Sequence, residues 1–205
     1  MTDQERYLET EAKLLVDELA RVESRLAVMR AALTRPRILE RNIRYDDVGR
    51  GLIAAGIVLR LRQDDRIWLT YKSQPRQQAV DGIQTRFEAE VEVSDYGTMD
   101  LILQKLGYVP AMIYEKYRTR YEVHGVEVAL DEMPYGSFVE LEGPPEQIEA
   151  AIAALGLTNC TRFEDSYARL FDHVCANLGL TFTDLTFENF AGVHVPPEAF
   201  YPPRS

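Results

Sequence analysis

Glu9-Thr10-Glu11-Ala12-Lys13 decides the reading of this chain. Extended backbone sends alternate side chains to opposite faces, so Glu9, Glu11 and Lys13 share one face of a strand. An acidic pair at the same spacing returns late in the sequence as Glu140-Leu141-Glu142. Between the two lie strands whose charged face is basic: Arg60-Leu61-Arg62, then Lys116-Tyr117-Arg118-Thr119-Arg120. Acidic strands at both ends and basic strands in the middle point to one site for a metal and a highly charged anion.

Working outward, Tyr7 to Leu15 reads as the first strand. Val16, Leu19, Val22, Leu26, Met29 and Leu33 then recur three and four apart, which predicts an amphipathic helix stopped by Thr34-Arg35-Pro36. Alternation predicts strands over 38–46, 57–62, 67–72, 85–93, 113–123, 126–131 and 137–142. Gly49-Arg50-Gly51 and 73–82 read as loops. Helices are expected over 98–106, from Pro144-Pro145 to Leu155, and over 165–178, with Gly107, Gly156 and Gly179 after them. The expected fold class is α+β: eight antiparallel strands in a sheet with one apolar and one charged face. Helices cover the apolar face, and the charged face points into solvent or into the bore of a closed barrel.

A wet face normally mixes signs, because like neighbours repel. Here Arg60/Arg62 and Lys116/Arg118/Arg120 are all positive, whereas Glu9/Glu11, Glu88/Glu90/Glu92 and Glu140/Glu142 are all negative. The face gathers Lys13, Arg60, Arg62, Lys72, Arg86, Lys116, Arg118 and Arg120 against Glu9, Glu11, Glu88, Glu90, Asp131, Glu140 and Glu142. A hard divalent cation would take the carboxylates, and phosphate oxygens the arginines and lysines. A triphosphate carrying Mg²⁺ presents both surfaces; a lipid-binding barrel would be apolar inside.

At 205 residues one domain is expected over 1–180, with a proline-rich tail over 181–205. The net charge of −10 argues against nucleic acid and anionic membrane as bulk partners. The opening Met-Thr-Asp-Gln-Glu-Arg has neither a basic n-region nor an apolar h-region, and Cys160 and Cys175 lack zinc-site spacing. A cytoplasmic protein is therefore expected, with monomer and homodimer both open. His124, His173 and His194 read as turn or surface residues, and Trp68 as core.

These blocks, in this order, resemble the CYTH family of triphosphate tunnel metalloenzymes, which includes class IV adenylyl cyclases, thiamine triphosphatases and inorganic triphosphatases. The opening E-x-E-x-K is Glu9, Glu11 and Lys13; L-R-x-R is Leu59 to Arg62; L-T-x-K is Leu69 to Lys72. R-x-E-x-E is Arg86, Glu88 and Glu90; K-x-R-x-x-Y is Lys116, Arg118 and Tyr121. The late block is Asp131, Gly136, Phe138, Glu140 and Glu142, and the closing S-Y-x-x-L runs from Ser166 to Leu170.

The resemblance implies a closed eight-stranded antiparallel barrel with a charged tunnel, helices outside and a C-terminal helix plugging one end. It implies Mg²⁺ or Mn²⁺ near Glu9, Glu11, Glu140 and Glu142, with Glu90 and Asp131 close by. It implies catalytic roles for Lys13, Arg60, Arg62, Lys72 and Arg118. The wider triphosphate cradle adds Lys116, with Arg86 and Arg120 joined to it by strand parity. Inorganic triphosphate, ATP and thiamine triphosphate are the implied substrates. Hydrolysis is favoured over cyclisation of ATP, because an H-F pair that often precedes the opening motif in the cyclases is Asp3-Gln4 here. A binding module ranks third, since both acidic pairs are present.

Overall fold

The computed structural model describes residues 7–75 and 79–203, so Asp3-Gln4 lies outside the described residues. The elements are β1 (Leu8–Val16), α1 (Leu19–Val28), β2 (Ala32–Asp46), α2 (Gly51–Ala54), β3 (Val58–Gln63), β4 (Ile67–Pro75), β5 (Ile83–Glu92), α3 (Tyr96–Lys105), β6 (Val109–Val123), β7 (Val126–Met133), β8 (Gly136–Glu142), α4 (Pro145–Leu155) and α5 (Tyr167–Leu178). The strands pair in the order β1-β5-β4-β3-β2-β6-β7-β8, and β8 returns to β1. All eight pairings are antiparallel, so the sheet is ring-like. No helix among the described residues is long and apolar enough to cross a membrane.

Two expectations are corrected. The first helix ends at Val28, and β2 already starts at Ala32, so Leu33 belongs to a strand. Pro36 lies within β2 because register shifts between Leu33 and Arg35 and between Arg35 and Ile38 interrupt the ladder there. The second is α2, which starts at Gly51, the last residue of the stretch read as loop, and runs to Ala54. Asp46 accepts hydrogen bonds from the backbone N–H groups of Asp47, Leu52 and Ile53, at 2.8, 2.9 and 3.1 Å, and so caps this single turn.

With charge inside the ring, the apolar packing lies on its outer surface. Leu14, Val128, Leu130, Val139 and Leu141 point outward against Val22 and Leu26 of α1 and Ile148 and Ile152 of α4. Ile43, Tyr45 and Leu61 meet Leu103 of α3.

At one end the inward positions change character. Two residues on, Lys13 gives way to Leu15 and Asp131 to Met133; two residues back, Glu140 gives way to Phe138 and Tyr114 to Met112. Leu15, Met133, Phe138 and Met112 pack with Tyr167, Leu170, Phe171 and Val174 of α5. The alternation that lines the ring with charge thus also seats α5 across this end.

The segment after α5 packs on the same cluster. Leu185 donates its N–H to Ile113 O at 2.9 Å and accepts from Glu115 N at 2.9 Å. Phe200 is 2% exposed and sets its ring 5.3 Å from Tyr135 and 5.7 Å from Phe138. Phe200→Ala is expected to cost about 3–5 kcal/mol, measured as a lowered urea midpoint; an unchanged midpoint would show that this packing contributes little.

Candidate active site

The charged face closes around a cavity of ≈ 160 Å³. Glu9, Glu11, Lys13, Arg60, Arg62, Lys72, Arg86, Glu88, Glu90, Lys116, Arg118, Arg120, Glu140 and Glu142 all line it. Asp131 does not; it points into the ring but is fully buried beneath Lys116, Arg118 and Tyr167. Seven of the eight strands send side chains to this cavity through the strict alternation of extended backbone, and β2 supplies Arg44.

The cations are held by carboxylates set behind or beside them. Asp131 accepts from Arg118 Nε at 2.6 Å, from Lys116 Nζ at 3.1 Å and from the Tyr167 hydroxyl at 2.7 Å. Arg118 also reaches Glu140, whose other oxygen lies 3.5 Å from Lys13 Nζ. Glu90 accepts from Arg62 at 3.0 Å, from Arg60 at 3.3 Å and from the Thr70 hydroxyl at 2.6 Å. Lys72 meets Glu88, and lies 3.6 Å from Glu9. Arg86 lies 3.4 Å from Glu11.

This web fixes ionisation. Burial opposes charge on Glu140, yet Arg118 and Lys13 hold its pKa well below the usual carboxylate range. Glu90 is lowered in the same way by Arg62 and Arg60, against its burial. Burial lowers the pKa of Lys72 despite its acidic neighbours. The buried guanidiniums keep spare donors: Nε of Arg60, Arg86 and Arg120 has no hydrogen-bond partner among the described residues, and Nε of Arg62 has only Asp64 Oδ2 beside it, at 3.6 Å. Buried polar atoms are normally satisfied, so a row of orphaned donors around one cavity suits an anion rich in oxygen.

The sequence reading missed part of the wall. Glu40 is fully buried, 3.6 Å from Lys116 Nζ and 3.8 Å from Arg120 Nη2. Its burial disfavours charge, but Lys116, Arg118, Arg62 and Arg120 pull its pKa down to about 2. Strand parity was the available signal, since Glu40, Asn42 and Arg44 alternate along β2. The Tyr114 hydroxyl accepts from Arg60 at 3.1 Å. Tyr167 places its ring 4.5 Å from Lys13 Nζ and 5.3 Å from Lys116 Nζ, a cation–π seat for both.

Two further expectations are corrected. His173 is 4% exposed on α5, 3.4 Å from Asp165, and is neither a turn nor a surface residue. Trp68 is half-buried and shares the inward face with Arg62, whose guanidinium lies 5.6 Å from its ring.

Glu9, Glu11, Glu127 and Glu142 crowd one rim of the cavity. Solvent reaches Glu142, but the protein packed around it and the charges of Glu9, Glu127 and Glu11 raise its pKa to about 7. Among the described residues it has no ion pair, and no three carboxylates already converge as a coordination sphere. Glu9 and Glu11 lean instead on Lys72 and Arg86, contacts that a bound cation would exchange. Clustered hard oxygen donors that repel one another are the donor chemistry of Mg²⁺ or Mn²⁺, so the residues fit such an ion.

The same crowding has a measurable consequence for the metal-free protein. Glu142 has a raised folded pKa, so between about 4.5 and 7 the folded chain binds more protons than the unfolded one. Stability is therefore expected to fall as pH rises through that window, and Glu142→Gln is expected to flatten the slope. Urea midpoints at several pH values in a chelator check this; an identical slope in the variant would contradict it.

The CYTH domain model matches residues 8–156. A protein of Methanocaldococcus jannaschii, provisionally named an adenylate cyclase, is 29% identical over 138 residues, covering 66% of this chain and 76% of that one. A structure from Vibrio parahaemolyticus, also provisionally named an adenylate cyclase, superposes with a TM-score of 0.70 at 17% identity, covering 80% of this chain and 98% of that one. A Hippeastrum protein, provisionally named an adenylyl cyclase and described as having a dominant triphosphatase activity, gives a TM-score of 0.58 at 18% identity, covering 85% of this chain and 97% of that one. At these identities the two structures speak for a shared fold alone.

Proposed function

The chain belongs to the CYTH domain family, and on that premise we propose that it is a divalent-metal-dependent enzyme that hydrolyses a small triphosphate. The observation that carries this reading is the row of orphaned guanidinium donors around a cavity whose carboxylates crowd one rim. In this reading the ring is a closed barrel and its bore a tunnel, with α5 as its plug.

Glu9, Glu11 and Glu142 would hold Mg²⁺ or Mn²⁺, with Glu140 beside them. The ion supplies neutralisation of phosphate charge and a water of lowered pKa. Arg60, Arg62, Lys72, Lys116 and Arg118 bind phosphate oxygens and stabilise charge on the transferring phosphoryl group and the departing diphosphate. Lys13 does the same from β1, held between Glu140 and the Asp165 carbonyl, to which it donates at 3.1 Å. Arg86 and Arg120 extend the cradle at its edges. Asp131 and Glu90 rest their oxygens on cations, and in this reading they act as positioning residues for the cradle. No covalent nucleophile is required, because in-line attack by water needs only alignment and charge stabilisation.

The cyclase name carried by the Methanocaldococcus jannaschii relative favours a second reading, closure of ATP to cyclic AMP with release of diphosphate. Product analysis with Mg²⁺ or Mn²⁺ separates the two. Orthophosphate from inorganic triphosphate or ATP, without cyclic AMP, is the expected result. Cyclic AMP with stoichiometric diphosphate would replace hydrolysis by cyclisation, and no product from either substrate would sink both.

A further inference from the structure

A second cavity, of ≈ 630 Å³, opens beside the first, at the ring end covered by α5. Arg44, Val58, Arg86, Ser166 and Ala168 line both, so the two are contiguous. The second gathers the guanidiniums of Arg44, Arg50, Arg86 and Arg169 against a single carboxylate, that of Asp172. In a chain of net charge −10 this is a local reversal of sign. The rest of its wall, including Ile53, Met112, Phe171 and Phe182, brings no counter-charge, and its low polarity strengthens the field of the arginines.

The cations of the two cavities are balanced differently. In the cradle they rest on carboxylates, as Arg62 does on Glu90 and Arg118 on Asp131. In the second cavity Arg44 and Arg50 have neither an ion pair nor a side-chain hydrogen bond among the described residues. Arg169 has only Asp172, at 3.7 Å, and both of those side chains are exposed. Arg86 has Glu11 at 3.4 Å and keeps its Nε unbonded. Burial lowers the pKa of Arg44, and Tyr114 and Asp172 only partly offset it. A desolvated cation without a counter-ion is costly, and an anion in the cavity would remove that cost. Ser166 and Ala168 open the twelve-residue helix α5, so its partially positive end lies at the junction of the cavities.

We propose that the second cavity is a separate site for a phosphate-type oxyanion, occupied while a triphosphate fills the cradle. The guanidinium fork pairs with two phosphate oxygens at once, which is the recognition such a ligand needs. The proposal rests on the triphosphate reading of the first cavity, which supplies the anion. Two sources share this chemistry. One is inorganic phosphate released in the cradle and held on its way out, past Arg44 and Arg86. The other is a fourth phosphate of a longer inorganic chain lying across the same two arginines. Asp172 is the one lining group that opposes either, and it already leans on Arg169.

Arg50 and Arg169 line only the second cavity and are exposed, so replacing them leaves the core and the cradle intact. Arg50 has φ 60°, a backbone that asparagine tolerates. Calorimetry adds inorganic phosphate to protein already saturated with Mg²⁺ and imido-linked, non-hydrolysable triphosphate. One phosphate per chain is the expected result. Arg50→Asn and Arg169→Gln are each expected to raise its Kd by roughly tenfold, the loss of one charge-assisted contact. Both should leave the Kd of the triphosphate analogue within about twofold. The imido-linked tetraphosphate separates the sources. Tighter binding than the triphosphate in the parent, lost in both variants, supports a chain spanning both cavities; equal affinities support released phosphate. No phosphate bound beside the filled cradle overturns the second site and leaves the triphosphate reading standing. So does an unchanged phosphate Kd in both variants, or equal weakening of phosphate and triphosphate. A parent protein that does not bind the triphosphate analogue overturns that reading, and the proposal falls with it.

Discussion

Replacing Arg118 with lysine is expected to lower kcat/KM for a triphosphate by roughly 10²–10³-fold, the loss seen when one preorganised donor to a developing anion is removed, while the protein stays folded. Arg118 is the junction of the site. Its guanidinium donates to Asp131 through Nε at 2.6 Å and through Nη2, and Nη2 also meets Glu140. Burial alone would lower its pKa, but Asp131 and Glu140 raise it well above the usual arginine value, so it is cationic at every working pH. Lysine keeps the charge but not the planar fork. It cannot engage both carboxylates and still present a fixed donor to phosphate. Steady-state kinetics beside a thermal melt check this. A kcat/KM within threefold of the parent would remove Arg118 from the proposed machinery.

Asp131→Ala is expected to cost about 3–5 kcal/mol of stability, the loss typical of stranding a buried charge by deleting its partner. Asp131 is fully buried and serves Arg118, Lys116 and the Tyr167 hydroxyl together. Without it two cations lose their counter-charge and β6 loses its tie to α5. The same residue separates two roles. If Asp131 positions the cradle, Asp131→Asn should lower the melting temperature and leave the Mn²⁺ concentration for half-maximal activity unchanged. A tenfold higher metal requirement with unchanged stability would make it a metal ligand after all.

The charged interior was legible because its signal is local and of period two. Each of Glu9/Glu11, Arg60/Arg62, Glu88/Glu90 and Lys116/Arg118 declares its face within a few residues. What was not legible came from contacts distant in sequence. Leu33 continues the three-four spacing of α1, so periodicity ran the helix into a strand whose start is set by pairing with Tyr121. Glu40 obeys the parity of β2, yet its weight lies in Lys116 and Arg120, far along the chain.

Tyr167 falls in the closing S-Y-x-x-L block, which says nothing of its partners. Only the fold brings its hydroxyl to Asp131 and its ring to Lys13. The segment after Gly179 has no periodicity, and the burial of Leu185, Phe190 and Phe200 arises wholly from packing on β6, β8 and α5.

The most direct test is a crystal structure of the protein with Mn²⁺ and an imido-linked triphosphate, with the metal located by anomalous scattering. The account predicts metal density against Glu9, Glu11 and Glu142, and phosphate oxygens among Arg60, Arg62, Lys116 and Arg118. Metal and phosphate found elsewhere on the molecule, with the ring interior holding only water, would contradict it.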